Sequence, residues 1–329
     1  MSDWVRGARR LALPVLAVVT ASGCASVATR PAPSISSVAT AALIARQLDP
    51  PSPPIVPNPF DLDKPEVDGF VTRFATRSRG FFDRALWRGS RYVSSMSDIL
   101  AREGLPTELA YLPLIESGYQ SHAVSHAGAT GPWQFIHATG RRYGLRIDAL
   151  VDERRDPIKS TEAAVRYLKD LHAMFGDWEL SLAAYNVGEF RVAKLLERQG
   201  VADYWGMRRF LPRETSEYVP RFLAALKIAQ SPAEYGFEPP VPMQLLYETV
   251  LLDRDLPLRT AAALSGVPQA ELVALNPALK RDLSPRGYDL RVPVGSAEPL
   301  RAALARHARG ETAGDVVAAT DGSCATARC

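Results

Sequence analysis

The sequence predicts a mainly α-helical protein followed by one small mixed α/β module. Three observations predict it. Between residues 67 and 235 apolar side chains recur every three to four positions, with no strongly alternating strand pattern. From 246 to 296 the period changes to a short strand, two short helices and a closing strand. Many of the 26 prolines lie near the ends of the helical region, as linkers around a compact centre would have them. The 329 residues, 47% hydrophobic and 23% charged, suffice for one large core or two unequal ones.

The first elements are not part of that core. Arg6, Arg9 and Arg10 precede the apolar run Leu11 to Val19, and small residues then lead to Cys24. Residues 1–23 are expected to be an export signal, because the run is shorter than the roughly 20 apolar residues a bilayer requires. Ala21-Ser22-Gly23-Cys24 resembles a lipobox, with Ala21 where leucine is usual. That resemblance implies a lipid on Cys24. Ala25 in the next place implies, by resemblance to Gram-negative sorting, the outer membrane. The alternative is a plain signal peptide beside a chance cysteine. Residues 24–66, with prolines at 31, 33, 50, 51, 53, 54, 57 and 59, read as an extended tether.

The helical domain spans 67–235. Phe70, Phe74, Phe81, Leu86, Tyr92, Met96 and Leu100 open it. Asp156-Pro157 reads as a helix cap and first turn before Ala163, Ala164, Tyr167, Leu168 and Leu171. Leu180 to Leu196 and Tyr218 to Ile228 are helical as well. A linker at 236–245 leads to the module at 246–296. Its strand spans Tyr247 to Leu252, its helices Leu258 to Leu264 and Gln269 to Leu275, and its closing strand Leu290 to Val294. Residues 297–329 are expected to be disordered. Cys324 and Cys329 there are compatible with a small disulfide loop or with free thiols. The net charge of +3 suits an anionic polymer or a membrane surface. Without a dense basic stripe carrying aromatics, nucleic acid is not expected as a partner.

Three segments carry possible chemistry. On a helix, Leu109, Leu112 and Glu116 share a face, which places a carboxyl on the apolar side. Burial raises its pKa toward what a general acid needs near neutral pH. Alternatively Glu116 reaches solvent or pairs with an arginine. Gly128-Ala-Thr-Gly-Pro-Trp-Gln134-Phe135 is a tight loop. Trp133 could stack on a sugar or lie in the core, and Gln134 could hydrogen-bond acetamido and hydroxyl groups. Tyr185 could donate to a carboxylate and Asn186 hold substrate, at a helix end capped by Gly188.

Other acids are weaker candidates. Glu108 suits a first helical turn, Asp148 and Asp152 a polar connection, and Asp156 a cap; Glu189 could approach a cleft. His122 and His126 stand four apart in a Ser/Gly/Ala loop without further ligands, so no metal site is assigned.

In this order the segments resemble the membrane-bound lytic murein transglycosylase D family, with its lysozyme-like α-helical catalytic domain of glycoside hydrolase family 23. The matching residues are Glu116-Ser117, Gly131-Pro-Trp-Gln-Phe135, Ala184-Tyr-Asn-Val-Gly188 and Tyr218-Val-Pro220, with Leu105-Pro-Thr-Glu-Leu109 and Ala138-Thr-Gly-Arg-Arg142. Pro132 departs from the usual leucine or tyrosine. The resemblance implies cleavage between N-acetylmuramic acid and N-acetylglucosamine in peptidoglycan. Glu116 would act as acid and then as base, closing a 1,6-anhydro ring. Ser117, Trp133, Gln134, Tyr185, Asn186 and Tyr218 would bind substrate or orient Glu116, and no cofactor is implied. The module resembles a divergent LysM-like unit, a glycan-binding type, through Tyr247-Glu-Thr-Val250, Leu275-Asn-Pro277 and Leu290-Arg-Val-Pro293. Asp253-Arg254-Asp255 replaces the usual Gly-Asp turn, so packing against the catalytic domain is the alternative role. Two rival functions remain: a muramidase that uses water, and a non-catalytic wall-binding lipoprotein.

Overall fold

A computed structural model describes residues 57–309. The export signal, Cys24, the tether before residue 57, Cys324 and Cys329 lie outside the described residues. Three helices open the fold: α1 (Pro65–Ala75), α2 (Arg79–Gly89) and α3 (Val93–Arg102). Pro65 starts α1 where its missing N–H costs nothing. The break between α1 and α2 resets the helical phase. Phe82, not Phe81, therefore enters the core, stacking on Phe74 at 4.7 Å, while Phe81 is 39% exposed.

After α4 (Leu112–Glu116) and α5 (His137–Arg142) come the longer helices. In α6 (Pro157–Phe175), Asp156 Oδ1 accepts from the amides of Ile158 and Lys159 at 2.9 Å, and Gly176 ends the helix in the left-handed region. This is the cap the sequence predicts. Helices α7 (Trp178–Val187), α8 (Glu189–Gln199) and α9 (Tyr204–Met207) lead to α10 (Arg213–Gln230). The last packs on α1, α4 and α7. It buries Tyr218, Val219, Phe222, Leu223 and Leu226. Pro220 inside α10 cannot donate to the carbonyl of Ser216. That carbonyl instead accepts from Tyr204 Oη at 2.9 Å and Arg208 Nε at 2.8 Å, so the break in the ladder is satisfied.

The module is a β-α-α-β unit. Strands β1 (Glu248–Leu251) and β4 (Asp289–Val292) pair antiparallel, with Thr249 opposite Arg291. Helices α11 (Leu258–Ser265) and α12 (Gln269–Leu275) lie between them in sequence. A second pair, β2 (Leu256–Pro257) with β3 (Leu283–Ser284), was not foreseen; each strand is two residues long, too short for an alternation to register. Residues 297–308 correct the expectation of a disordered tail from 297. They form α13 (Ala297–Ala308), which buries Ala297, Leu300 and Ala303 against the module. Three apolar positions at helical spacing outweighed the small-residue composition around them. Among the described residues no helix is long and apolar enough to cross a membrane.

The helical body and the module meet directly. Val151 is fully buried within the module's apolar cluster and bridges Leu279. The Asp152 amide donates to Ala278 O at 2.8 Å, and the Lys280 amide to Leu150 O at 2.9 Å.

If α13 belongs to the module core, Leu300→Ala should lower stability by about 2–5 kcal/mol, the usual effect of emptying a buried leucine site. Urea denaturation followed by circular dichroism measures it; a change below about 0.5 kcal/mol would remove α13 from the core.

Candidate active site

Glu116 is placed by a broken helix rather than a continuous one. Thr107–Tyr111 is a 3₁₀ turn, and the Leu112 amide bonds back only three residues, to Leu109 O. Pro113 has no N–H to extend that turn as an α-helix, so α4 begins beside it. The apolar face survives the break, since Leu109, Leu112 and Leu114 are buried. Glu116 ends α4, and Gly118 and Tyr119, both at positive φ, turn the chain away. Arg88 Nε holds Gly118 O at 2.6 Å, and Tyr119 Oη donates to Ala110 O at 2.7 Å.

The Glu116 carboxyl accepts a hydrogen bond from Tyr218 Oη on α10. Burial pushes its pKa up to about 7, against the lowering effects of that bond and of the Arg221 charge. Arg221 donates not to the carboxyl but to Ile115 O, at 3.2 Å. It stands three residues after Tyr218, so both reach the same end of α4. Burial and the nearby Glu116 charge hold the Tyr218 and Tyr185 phenols well above their ordinary range, which keeps both neutral donors.

The loop from Gly128 to Phe135 is tied to the chain beside Glu116 through Ser117. Gly131 sits at φ 83°, and a Cβ there would lie 1.8 Å from Arg154 O, so only glycine fits. Gln134 takes a positive φ of 49°, unusual for a residue with a side chain. The loop's carbonyls are gripped one by one. Ser117 Oγ donates to Pro132 O at 2.9 Å. Tyr185 Oη donates to Trp133 O at 2.8 Å, and Gln134 Nε2 to its own loop at Gly131 O, 2.9 Å. Arg154 Nη1 donates to both Gly128 O and Phe135 O at 3.1 Å.

These contacts revise several expected roles. Trp133 offers no face to a sugar: it is fully buried, and its indole N–H donates to Thr161 Oγ1 at 2.8 Å. A ring this large contributes most as an anchor in the core, and its one polar atom found a partner there. Ser117 and Tyr185 do not hydrogen-bond Glu116; they hold the loop. The phenol that does reach the carboxylate is Tyr218. Asn186 is half-buried near the end of α7, and its side chain makes no hydrogen bond within the described residues. Glu189 is occupied: Arg142 Nη1 pairs with it at 3.1 Å and Tyr167 Oη donates to it at 3.4 Å. Arg221, Arg154 and Thr161 were missed. The signal for Arg221 was its position one helical turn beyond Tyr218; for Arg154, a charge-dense Asp-Glu-Arg-Arg-Asp run between apolar helices.

A half-buried acid on a broken helix, next to a serine that holds a loop of clamped carbonyls, sits in a region with family relatives. Residues 97–207 match the family described as Transglycosylase SLT domain. Residues 247–309 match the LysM-like domain of lytic transglycosylase MltD. The chain thus carries a transglycosylase SLT domain followed by an MltD-type LysM-like domain, in agreement with the resemblance read from its motifs. It is 34% identical over 237 residues to the membrane-bound lytic murein transglycosylase D of Escherichia coli strain K12, and equally to that of Escherichia coli O6:H1. The match covers 70% of this chain and 52% of each relative, so the chain spans about half the length of the curated relatives it matches. Among solved structures, an inactive mutant of lytic transglycosylase Slt from Pseudomonas aeruginosa matches at 24% identity and TM-score 0.37. That match covers 45% of this chain and 25% of the other, too low a score for a comparison of folds.

The raised pKa has a consequence for stability. The fold favours the neutral acid, so this contribution is complete below about pH 4.5 and is lost as pH rises through about 7. Glu116→Gln removes the ionisable group. It should therefore be more stable than the parent at pH 8, by up to about 3 kcal/mol, with the difference vanishing near pH 4.5. Urea titrations at both pH values measure it, and parallel pH dependences would refute a raised Glu116 pKa.

Proposed function

We propose that this protein is a peptidoglycan lytic transglycosylase, with Glu116 serving both proton-transfer steps. The observation that carries the reading is a half-buried carboxyl at the end of a broken helix, bonded by the Tyr218 phenol and raised by burial to a pKa of about 7, which leaves it substantially protonated at neutral pH. As acid, Glu116 protonates the oxygen linking N-acetylmuramic acid to N-acetylglucosamine, and that C–O bond breaks. The resulting carboxylate then accepts the proton of the muramoyl C6 hydroxyl as its oxygen bonds to C1. The product is a 1,6-anhydro end, and Glu116 returns to its acid form. The nucleophile belongs to the substrate, so no second carboxylate is needed to activate water.

The surrounding groups divide this work. Tyr218 Oη stabilises the carboxylate between the two steps. In this reading the Asn186 amide and the Gln134 side-chain oxygen, whose Nε2 is held on Gly131 O, bind acetamido and hydroxyl groups of the substrate. Ser117, Trp133 and Tyr185 serve indirectly, by holding the loop that presents Gln134. Residues 67–235 form the catalytic domain and 246–308 the module. The likeness to relatives named membrane-bound supports a membrane-associated periplasmic protein; the Ala21-Ser22-Gly23-Cys24 run and Ala25 after it are the grounds for proposing lipid on Cys24 and the outer membrane as its site.

Among the described residues the hydrolytic alternative has a candidate second acid. Glu214, exposed in the first turn of α10, acts on Glu116 electrostatically.

Mass spectrometry of digested sacculi is expected to find 1,6-anhydromuramoyl ends with the parent chain and none with Glu116→Gln. Reducing ends that disappear in Glu214→Ala would instead establish a muramidase. Undiminished cleavage by Glu116→Gln would refute the assignment of Glu116. For the anchor, Cys24→Ala should move the protein from the membrane to the soluble fraction on cell fractionation; continued membrane association would exclude lipid on Cys24 as its anchor.

A further inference from the structure

The segment from Asp152 to Asp156 links three parts of the molecule. On the module side, Arg291 of β4 donates to both carboxylate oxygens of Asp156, at 2.5 and 3.1 Å. The pair is almost sealed from solvent, with side chains 7% and 2% exposed. The backbone amide of Asp152 is tied to Ala278 O at 2.8 Å, beside the fully buried Val151. On the other side, the Asp152 carboxylate orients Arg154 through bonds of 2.9 and 2.8 Å. Arg154 Nη1 in turn bridges Gly128 O and Phe135 O, the two ends of the loop that carries Gln134. Asp156 also caps α6, the helix whose Thr161 holds the Trp133 indole.

Two of the loop's anchors thus start from residues that the module grips. A fork-shaped guanidinium on a carboxylate fixes both distance and orientation, which a single point charge does not. The Arg291 guanidinium is also covered by the Tyr247 ring at 4.6 Å, so the strand's cation is directed inward.

We infer that the LysM-like module is a positioning element for catalysis: through Arg291–Asp156 and Ala278–Asp152 it sets the Arg154 clamp on the Gly128–Phe135 loop. This rests on the reading of that loop as part of a transglycosylase centre. Asp152, Arg154, Asp156 and Arg291 are positioning residues, since none of them hydrogen-bonds Glu116 or Tyr218. The module then acts mainly on turnover rather than on capture of the glycan strand.

The test is the steady-state kinetics of Arg291→Gln and Arg291→Lys in the full chain, on solubilised glycan strands. Arg291→Gln is expected to lower kcat about ten-fold or more with KM within about two-fold, the signature of a displaced reacting group. Arg291→Lys should recover part of the loss and not all, because lysine restores the charge without the fork. A raised KM at unchanged kcat would assign the module to glycan capture and overturn the inference, as would no change in either. Hydrogen exchange of the unmodified full chain in rising urea covers the case in which Arg291→Gln does not fold. The Thr130 and Gly131 amides, both hydrogen-bonded, should lose protection at the same urea concentration as the β1–β4 ladder. Loop protection that outlasts the module would overturn the inference. Exchange reads the clamp without substrate, so an inactive chain with coupled exchange would fault the proposed reaction and leave the clamp standing.

Discussion

The carboxyl of Glu116 lies where water cannot fully solvate it, with a phenol rather than a cation as its direct partner. An ion pair there would lower the pKa and fix the charged form; an apolar pocket without a donor would make the charged form too costly to reach. Tyr218 stands between these limits. Its own ionisation is suppressed by burial and by Glu116, so it stays a donor whichever form the acid takes. Arg221 is held one step back on a backbone carbonyl, close enough to favour the carboxylate and without binding it. A residue that must both give and take a proton needs this balance.

The balance depends on rigid placement, and much of the structure serves that. The core of α10 sets Tyr218 and Arg221, and its interior proline is tolerated because Tyr204 and Arg208 satisfy the freed carbonyl. The Gly128–Phe135 loop is irregular backbone close to a core. It is stable because its carbonyls have partners in Ser117, Tyr185, Gln134 and Arg154. The buried Asp156–Arg291 pair adds a different constraint. Removing one partner of such a pair typically costs about 3–5 kcal/mol, since the other is left charged and unpaired. Helical body and module are therefore coupled in stability as well as in space.

Much of the fold was legible in the sequence, because periodicity and capping are local. The Asp156-Pro157 start of α6, the four main elements of the module and the apolar side of Glu116 all follow from residues within a few positions of one another. Errors came where long-range packing decided. Nothing local distinguishes Phe81 from Phe82 once a helix break shifts the phase, and α13 is helical because the module covers Leu300.

The site divides in the same way. The sequence by itself determined which residue types gather: an acid on an apolar stripe, a glycine-rich loop with an amide, a tyrosine next to an asparagine. Those are properties of composition and spacing. Only the tertiary structure decided what each of them touches. It put Trp133 in the core, turned Ser117 and Tyr185 onto the loop, gave Glu116 to Tyr218 from 102 residues away, and joined Arg291 to Asp156 across 135. Hydrogen-bond partners are chosen by distance and angle in space, and no period in a sequence encodes a direction between helices so far apart along the chain.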